Sequence, residues 1–107
     1  MYELANKEII ELGWNDTQYF GYYWDTKFDT PTLVVKLRRP NSQVQELICD
    51  WATNLEIKID YLNCVNELLT INVYFSQLPK SGYCVNIDLG INGYIKYNCN
   101  NLGLRNV

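Results

Sequence analysis

The sequence predicts a mainly β protein, either one antiparallel sheet or a two-sheet sandwich, with about seven strands and a short N-terminal helix. Runs in which apolar and polar residues alternate recur at short spacing along the chain, as they do in half-buried strands. Aromatic residues make up 14% of the composition and include nine tyrosines, which also favours β structure. A chain of 107 residues has the length of one domain, so we expect a single domain over residues 1–107.

The strictest alternation lies in residues 55–61, and it sets our expectation for the core. Leu55, Ile57 and Ile59 point to one side of this predicted strand, and the charged residues between them point to the other. We therefore expect the face that carries Ile57 and Ile59 to lie at the centre of the core. The same alternation predicts buried positions at Val35, Leu47, Ile71, Val73, Val85 and Ile87.

The remaining elements follow from local signals. Residues 1–12 predict a helix that ends at Gly13, because its apolar residues share one face. Asn92-Gly93 predicts a tight hairpin turn, since both residues tolerate positive φ. Residues 100–107 are expected to form a tail or a short strand. The other predicted strands cover residues 18–25, 33–38, 44–51, 68–77, 83–89 and 95–99.

The charge balance argues against nucleic acid as a partner. The formal net charge is −3 and the isoelectric point is near 4.8, whereas capture of phosphates needs clustered Lys and Arg. The basic cluster of Lys36, Arg38 and Arg39 is expected to be a solvated face or a guarded sheet edge. Residues 1–12 lack the apolar core of a secretory signal, and no apolar run approaches the length of a membrane span. We expect a cytoplasmic protein with no membrane partner.

The residue types also narrow the catalytic options. The chain has no histidine, which excludes Ser-His and Cys-His nucleophiles and two-histidine metal sites. The four cysteines, at positions 49, 64, 84 and 99, lack the close spacing of a zinc knuckle. We therefore expect no metal, no cofactor and no structural disulfide, with thiols that are mostly inert and buried.

The aromatic run at residues 19–24 is the strongest candidate for a binding surface. Alternation sends Phe20, Tyr22 and Trp24 toward the core on one face. The other face then carries Tyr19 and Tyr23, and the glycine between them leaves a shallow gap for a partner's side chain, unless the N-terminal helix covers it. The predicted partner-binding residues, which add the aromatic and acidic residues of the flanking loops, are Trp14, Asp16, Tyr19, Tyr23, Asp25, Phe28 and Asp29.

Three segments together resemble small β domains found among the immunity proteins of bacterial polymorphic toxin systems and related families of unknown function. Residues 14–25, which open with Trp14-Asn15-Asp16-Thr17, are similar to the family's aromatic-His-Asp-small opening and first strand, with Asn15 where the family tends to have histidine. Residues 46–57 resemble its central strand pair, and residues 94–102 resemble its closing strand, which has a cysteine near the end. The resemblance implies a non-catalytic protein that binds and blocks a toxin.

Two hypotheses for the function follow. The first is a protein-interaction module, either an immunity protein or a subunit of a small assembly, whose partner is another protein, such as a basic toxin, or a second copy of the chain. Acidity, aromatic residues and missing catalytic groups favour it. The alternative is a small-ligand-binding protein or an enzyme that uses carboxylate or tyrosine side chains. That alternative requires a deep pocket lined by Asp16, Asp25 or Asp29.

Overall fold

A computed structural model of the chain describes residues 6–27, 29–59, 68–69 and 72–107. In these residues the chain forms one short α-helix and nine strands in two antiparallel sheets, which confirms the predicted fold class. The helix α1 covers Asn6–Ile10; the strands are β1 (Gln18–Asp25), β2 (Thr32–Arg38), β3 (Gln45–Asp50), β4 (Thr53–Ile59), β5 (Leu68–Leu69), β6 (Asn72–Gln77), β7 (Tyr83–Asp88), β8 (Gly93–Cys99) and β9 (Asn101–Asn106). One sheet has the strand order β5-β1-β2-β3-β9 and the other has the order β4-β8-β7-β6.

The chain passes from one sheet to the other at two places. β3 leads into β4 through Trp51 and Ala52, and β8 leads into β9 through Asn100. The turn at this corner is sharp, because Trp51 adopts a positive φ of 51°. Backbone hydrogen bonds continue around it: the Asn100 N–H donates to the Asp50 carbonyl at 2.9 Å. The five-stranded and four-stranded sheets are therefore joined by bent strands that stay paired.

The core lies between the two sheets and includes most of the positions that alternation predicts. Val35, Leu47, Val73, Val85 and Ile87 are buried as expected, whereas Ile71 lies outside the described residues. Each sheet contributes one face, and the fully buried side chains of the central strands include Leu33, Leu37, Ile95 and Tyr97.

The expectation that Ile57 lies at the centre of the core is wrong. Ile57 pairs with Ile95 and shares its face, so the alternation itself was read correctly. However, β4 is an edge strand of its sheet, and the Ile57 side chain remains 40% exposed while that of Ile95 is completely buried. Ile59 is half-buried against the core. Alternation reveals which face of a strand is apolar but not whether the strand lies at the middle or the edge of a sheet.

The helix α1 covers one open side of the sandwich. Ile9 is buried in the core, and the Asn6 side-chain oxygen accepts a hydrogen bond from the Leu102 N–H of β9 at 2.7 Å. The helix ends at Ile10, two residues before the end of the predicted range of 1–12, and residues 1–5 of that range lie outside the described residues. No helix in the described part of the chain is long and apolar enough to cross a membrane.

Candidate functional site

A β-bulge in β1 determines where the aromatic side chains point. β1 pairs with β2 from Gln18 to Asp25, but the register shifts between Tyr19 and Gly21, so Phe20 has no residue opposite it. Gly21 adopts a φ of 135°, a conformation that side-chain-bearing residues rarely adopt, which explains why glycine occupies this position. The bulge shifts the alternation by one residue, so the two ends of the aromatic run do not follow a single pattern.

The shift reverses part of the predicted orientation. Tyr19 pairs with Leu37 and is buried in the core, where the alternation had predicted an outward side chain. Tyr22 and Trp24 point to the inner face as predicted, beside Val35 and Leu33. Tyr23 points to the outer face of the sheet, also as predicted, beside Val34.

Four aromatic residues within the five positions 20–24 nevertheless remain exposed, because this half of β1 is a sheet edge in the described part of the chain. In the described part of the chain, β5 pairs with β1 only at Gln18 and Tyr19, so no strand pairs with the edge from residue 20 to residue 25. The exposed fractions in this run are 43% for Phe20, 39% for Tyr22, 41% for Tyr23 and 44% for Trp24. We call residues 20–25 the aromatic edge. Such a cluster on an unpaired strand edge is uncommon, since proteins usually protect sheet edges with charges or short strands.

The gap predicted at Gly21 is present. A Cβ atom placed on Gly21 would meet no heavy atom within 4 Å. The neighbouring side chain on the same face of β2 is Lys36, which pairs with Gly21. The gap is therefore open to a side chain from outside the molecule and has a cation beside it.

A polar network that the sequence did not reveal crosses the outer face of the five-stranded sheet. The Tyr23 hydroxyl donates a hydrogen bond of 2.7 Å to Glu46 in β3, and the Arg105 guanidinium of β9 forms an ion pair with the same carboxylate at 2.7 Å. Glu46 and Arg105 are paired residues in neighbouring strands, so the sheet register itself brings them together. The network holds the Tyr23 side chain over β2. It connects the aromatic edge to β9, which is the strand at the other edge of the five-stranded sheet.

The network also changes the ionisation of its members. Burial by itself raises the pKa of Glu46, but the hydrogen bonds from Tyr23 and Arg105 and the positive charges of Arg105 and Lys36 outweigh it and lower that pKa below its ordinary value of 4.5. The hydrogen bond to Glu46 raises the pKa of the Tyr23 hydroxyl and that of the Arg105 guanidinium. All three groups therefore keep the charge states that the network needs at neutral pH.

This lowered pKa predicts a loss of stability in acid. A carboxyl group with a depressed folded-state pKa stabilises the fold above its unfolded-state pKa, and that contribution is lost as the pH falls through the folded-state value. We expect the difference in the free energy of unfolding between the wild type and Glu46→Gln to be largest near pH 7 and to shrink below pH 4.5. Urea unfolding measured from pH 7 to pH 3 tests this. Tyr23→Phe, which removes one donor, should give intermediate values; a difference that stays constant with pH would contradict the assignment.

The charges on this outer face form two separate rows. One row contains Gly21, Lys36, Glu46 and Arg105, and we call it the basic row because its two cations exceed its one carboxylate. Four residues further along β1 lies the acidic row, with Asp25 and Thr32 paired on one side and Asp50 and Asn101 paired on the other. In the described residues no carboxylate lies within ion-pair distance of Lys36, while Glu46 is held by Arg105. The aromatic edge is therefore flanked by opposite charges.

The structure changes the list of predicted partner-binding residues. Trp14 is buried rather than exposed: its indole N–H donates to the Ile9 carbonyl at 2.9 Å, and its ring packs against Phe75 at 5.6 Å. Tyr19 is likewise in the core. Phe28 lies outside the described residues. Alternation predicted that Phe20, Tyr22 and Trp24 would be covered by the core, but all three are exposed because no described strand covers this edge of β1.

The three aspartates do not converge. Asp16 lies in a shallow cleft with Arg38 and Arg39 at the start of β1. Asp25 ends β1, where its carboxylate accepts a hydrogen bond from the Lys27 N–H at 2.9 Å, and the exposed Asp29 follows in the next loop. An eight-residue strand is about 25 Å long, so the three predicted partner-binding aspartates do not form one acidic surface: Asp16 lies with Arg38 and Arg39 at one end of β1, and Asp25 and Asp29 lie at the other.

The described residues offer little for metal or acid–base chemistry. No group of three or more Cys, Asp and Glu side chains among them is arranged to hold a metal ion. Three clefts among the described residues, of about 390 to 420 Å³, are open, and each of the three contains a single carboxylate. Cys49 is completely buried beside the Tyr97 hydroxyl at 3.1 Å, and burial raises the pKa of its thiol well above its ordinary value, which disfavours the reactive thiolate.

Comparison with known proteins places the fold but not the function. No protein-family model matches the chain, and no curated protein matches it either. Among solved structures, the fold is similar to that in a crystal structure of an uncharacterized protein from Neisseria gonorrhoeae, with a TM-score of 0.62 and 11% sequence identity. The alignment covers 87% of this chain and 93% of that one. At this level of identity the likeness shows the fold alone.

Proposed function

We propose that this chain is a non-catalytic protein-interaction module that binds and neutralises a toxin through its aromatic edge, in the manner of an immunity protein. The observation that carries the proposal is the set of four exposed aromatic residues on the edge of β1 that no described strand pairs with from residue 20 to residue 25. Tyr and Trp are enriched at the energetic centres of protein interfaces, because they bury a large area with few rotatable bonds.

The form of the edge supports binding by strand addition. An unpaired strand presents backbone N–H and C=O groups that a partner strand can pair with, and the side chains on its two faces then supply specificity. Tyr22 and Trp24 lie on one face, and Tyr23 lies on the other beside the gap at Gly21. A partner strand would therefore contact aromatic rings on both of its faces.

The charges support a basic partner. The chain has a formal net charge of −3, and the acidic row with Asp25 and Asp50 lies at one end of the aromatic edge, next to the exposed Asp29. Complementary charge speeds the encounter of two proteins and helps to exclude wrong partners. Toxins that act on nucleic acid tend to be basic, because they must bind phosphate.

The proposal is tested with the protein encoded directly upstream of this chain, in a catalytically inactive form. Isothermal titration of that protein with the wild type and with Tyr22→Ala/Trp24→Ala should show that the double variant binds at least about 30-fold more weakly, which corresponds to about 2 kcal/mol. Tyr74→Ala is the matched control, since Tyr74 is as exposed but lies on the four-stranded sheet.

Each outcome has a clear meaning once the variants are shown to be folded by their melting temperatures. A loss of affinity in the double variant with an unchanged Tyr74→Ala supports the aromatic edge. Equal affinities for the wild type and the folded double variant would refute it. Absence of any binding by the wild type would remove the immunity function itself.

A further inference from the structure

We propose that the aromatic edge also pairs with the same edge of a second copy of this chain, as an antiparallel ladder centred on Tyr23. This inference shares the surface of the proposed function but does not depend on a toxin. It follows from the positions of charges, glycine and aromatic rings along a single strand, which together make the edge complementary to itself.

The free length of the edge limits the register. β5 occupies the edge at Gln18 and Tyr19, so only residues 20–25 are open to a new strand in the described part of the chain. Two copies related by a two-fold axis perpendicular to the sheet keep their inner faces on the same side. Residues that lie opposite each other must then belong to the same face. Centring the ladder on Tyr22 or on Tyr23 meets both conditions.

The charges select Tyr23 as the centre. In that register Asp25 of each copy lies opposite Gly21 of the other. Gly21 has no side chain, the space beside it is open, and Lys36 flanks it on the same face. The acidic row of each copy thus continues into the basic row of the other. With Tyr22 at the centre, Asp25 would instead lie opposite Tyr19, whose edge is already paired with β5.

The aromatic side chains fit the same register. Tyr22 and Trp24 lie on the inner face, and a ladder centred on Tyr23 places Tyr22 of one copy opposite Trp24 of the other, twice over. Directly opposed aromatic residues in antiparallel strands are in contact and stabilise the pair. Pairing would cover side chains that are 39% and 44% exposed in the single chain. The five-stranded sheets of the two copies would then form one continuous sheet across the dimer.

Cysteine cross-linking tests the register directly. Residues directly opposite each other in an antiparallel ladder have Cβ atoms about 5 Å apart, close to the separation that a disulfide needs. Under mild oxidation with copper phenanthroline, Tyr23→Cys should give a disulfide-linked dimer. Asp29→Cys, which is exposed but outside the ladder, is the matched control, and the wild type shows the background from the native cysteines. No dimer with Tyr23→Cys, or an equal yield with Asp29→Cys, would overturn the proposal.

A charge exchange tests the same contact without cysteine. Sedimentation equilibrium at low salt should show that Asp25→Lys weakens self-association by about tenfold or more, since a lysine would then face Lys36 of the second copy. Adding Lys36→Glu in the same chain restores the opposite charges and should return the dissociation constant to within about threefold of the wild type. Continued weakness in the folded double variant would contradict the register.

The two proposals fail separately. A wild type that stays monomeric but binds the upstream-encoded protein would sink the self-pairing and leave the proposed function intact. A wild type that dimerises as described but does not bind that protein would refute the proposed function and leave the self-pairing intact.

Discussion

Ile95→Asp is expected to unfold the protein, whereas Ile57→Asp is expected to leave it folded. Both residues belong to one row of paired side chains on the inner face of the four-stranded sheet. Ile95 lies in the interior strand β8 and is completely buried, so an aspartate there would be an unpaired buried charge at a cost of about 3 kcal/mol or more. Ile57 lies on the edge strand β4, where the new carboxylate can reach water, and the cost should be about 1 kcal/mol.

Urea denaturation of the two variants measures this difference. Because the side chain removed and the side chain introduced are the same, the comparison isolates position in the sheet. Equal destabilisation by the two substitutions would mean that β4 is covered in solution, and the assignment of its edge would then be wrong.

Gly93→Ala is expected to be the most damaging of the conservative glycine substitutions. Gly93 has a φ of 120°, and a Cβ atom there would lie 1.6 Å from the Lys58 carbonyl oxygen of the paired strand β4. The variant would combine backbone strain with a collision against main-chain atoms that cannot move without breaking the ladder, and we expect a cost of about 3 kcal/mol or more.

Substitutions at two other glycines distinguish the effect of backbone strain from the effect of the collision. Gly21→Ala keeps the strain of a φ of 135° but meets no heavy atom within 4 Å, and Gly13→Ala meets neither problem. The free energy lost on substitution should therefore decrease from Gly93 to Gly21 to Gly13, with Gly13→Ala below about 1 kcal/mol. A melting temperature of Gly93→Ala that equals that of Gly13→Ala would contradict the close approach of β8 and β4.

The sequence predicted the strands well because alternation is a local property. Side chains two residues apart share a face whatever lies beside the strand, so Val85 and Ile87 could be assigned to the core without knowing their neighbours. The order of the strands across a sheet, by contrast, depends on residues that are far apart in the sequence. The alternation in residues 53–59 would be the same in an edge strand and in a central one, and the misplacement of Ile57 follows from this.

The candidate site was predicted in outline but not in detail. The aromatic run and the gap at Gly21 could be recognised, since both depend only on residues that are neighbours in the sequence. Glycine inside a strand is a known sign of a bulge, and reading it so would have warned that Tyr19 and Tyr23 belong to different faces. The contact of Tyr23 with Glu46, and of Glu46 with Arg105, depends on pairing between distant strands and has no local signal.

Hydrogen–deuterium exchange of the wild type at a concentration at which it is monomeric, alone and with the inactive upstream-encoded protein at saturation, tests the central claim most directly. Backbone amides that point out from an unpaired strand edge exchange rapidly, and pairing with a new strand slows them. We expect peptides that contain residues 20–25 to become protected in the complex, while peptides of the exposed edge strand β4 do not change. Protection of β4 or of the outer face of the four-stranded sheet, with residues 20–25 unaffected, would contradict the aromatic edge as the binding surface.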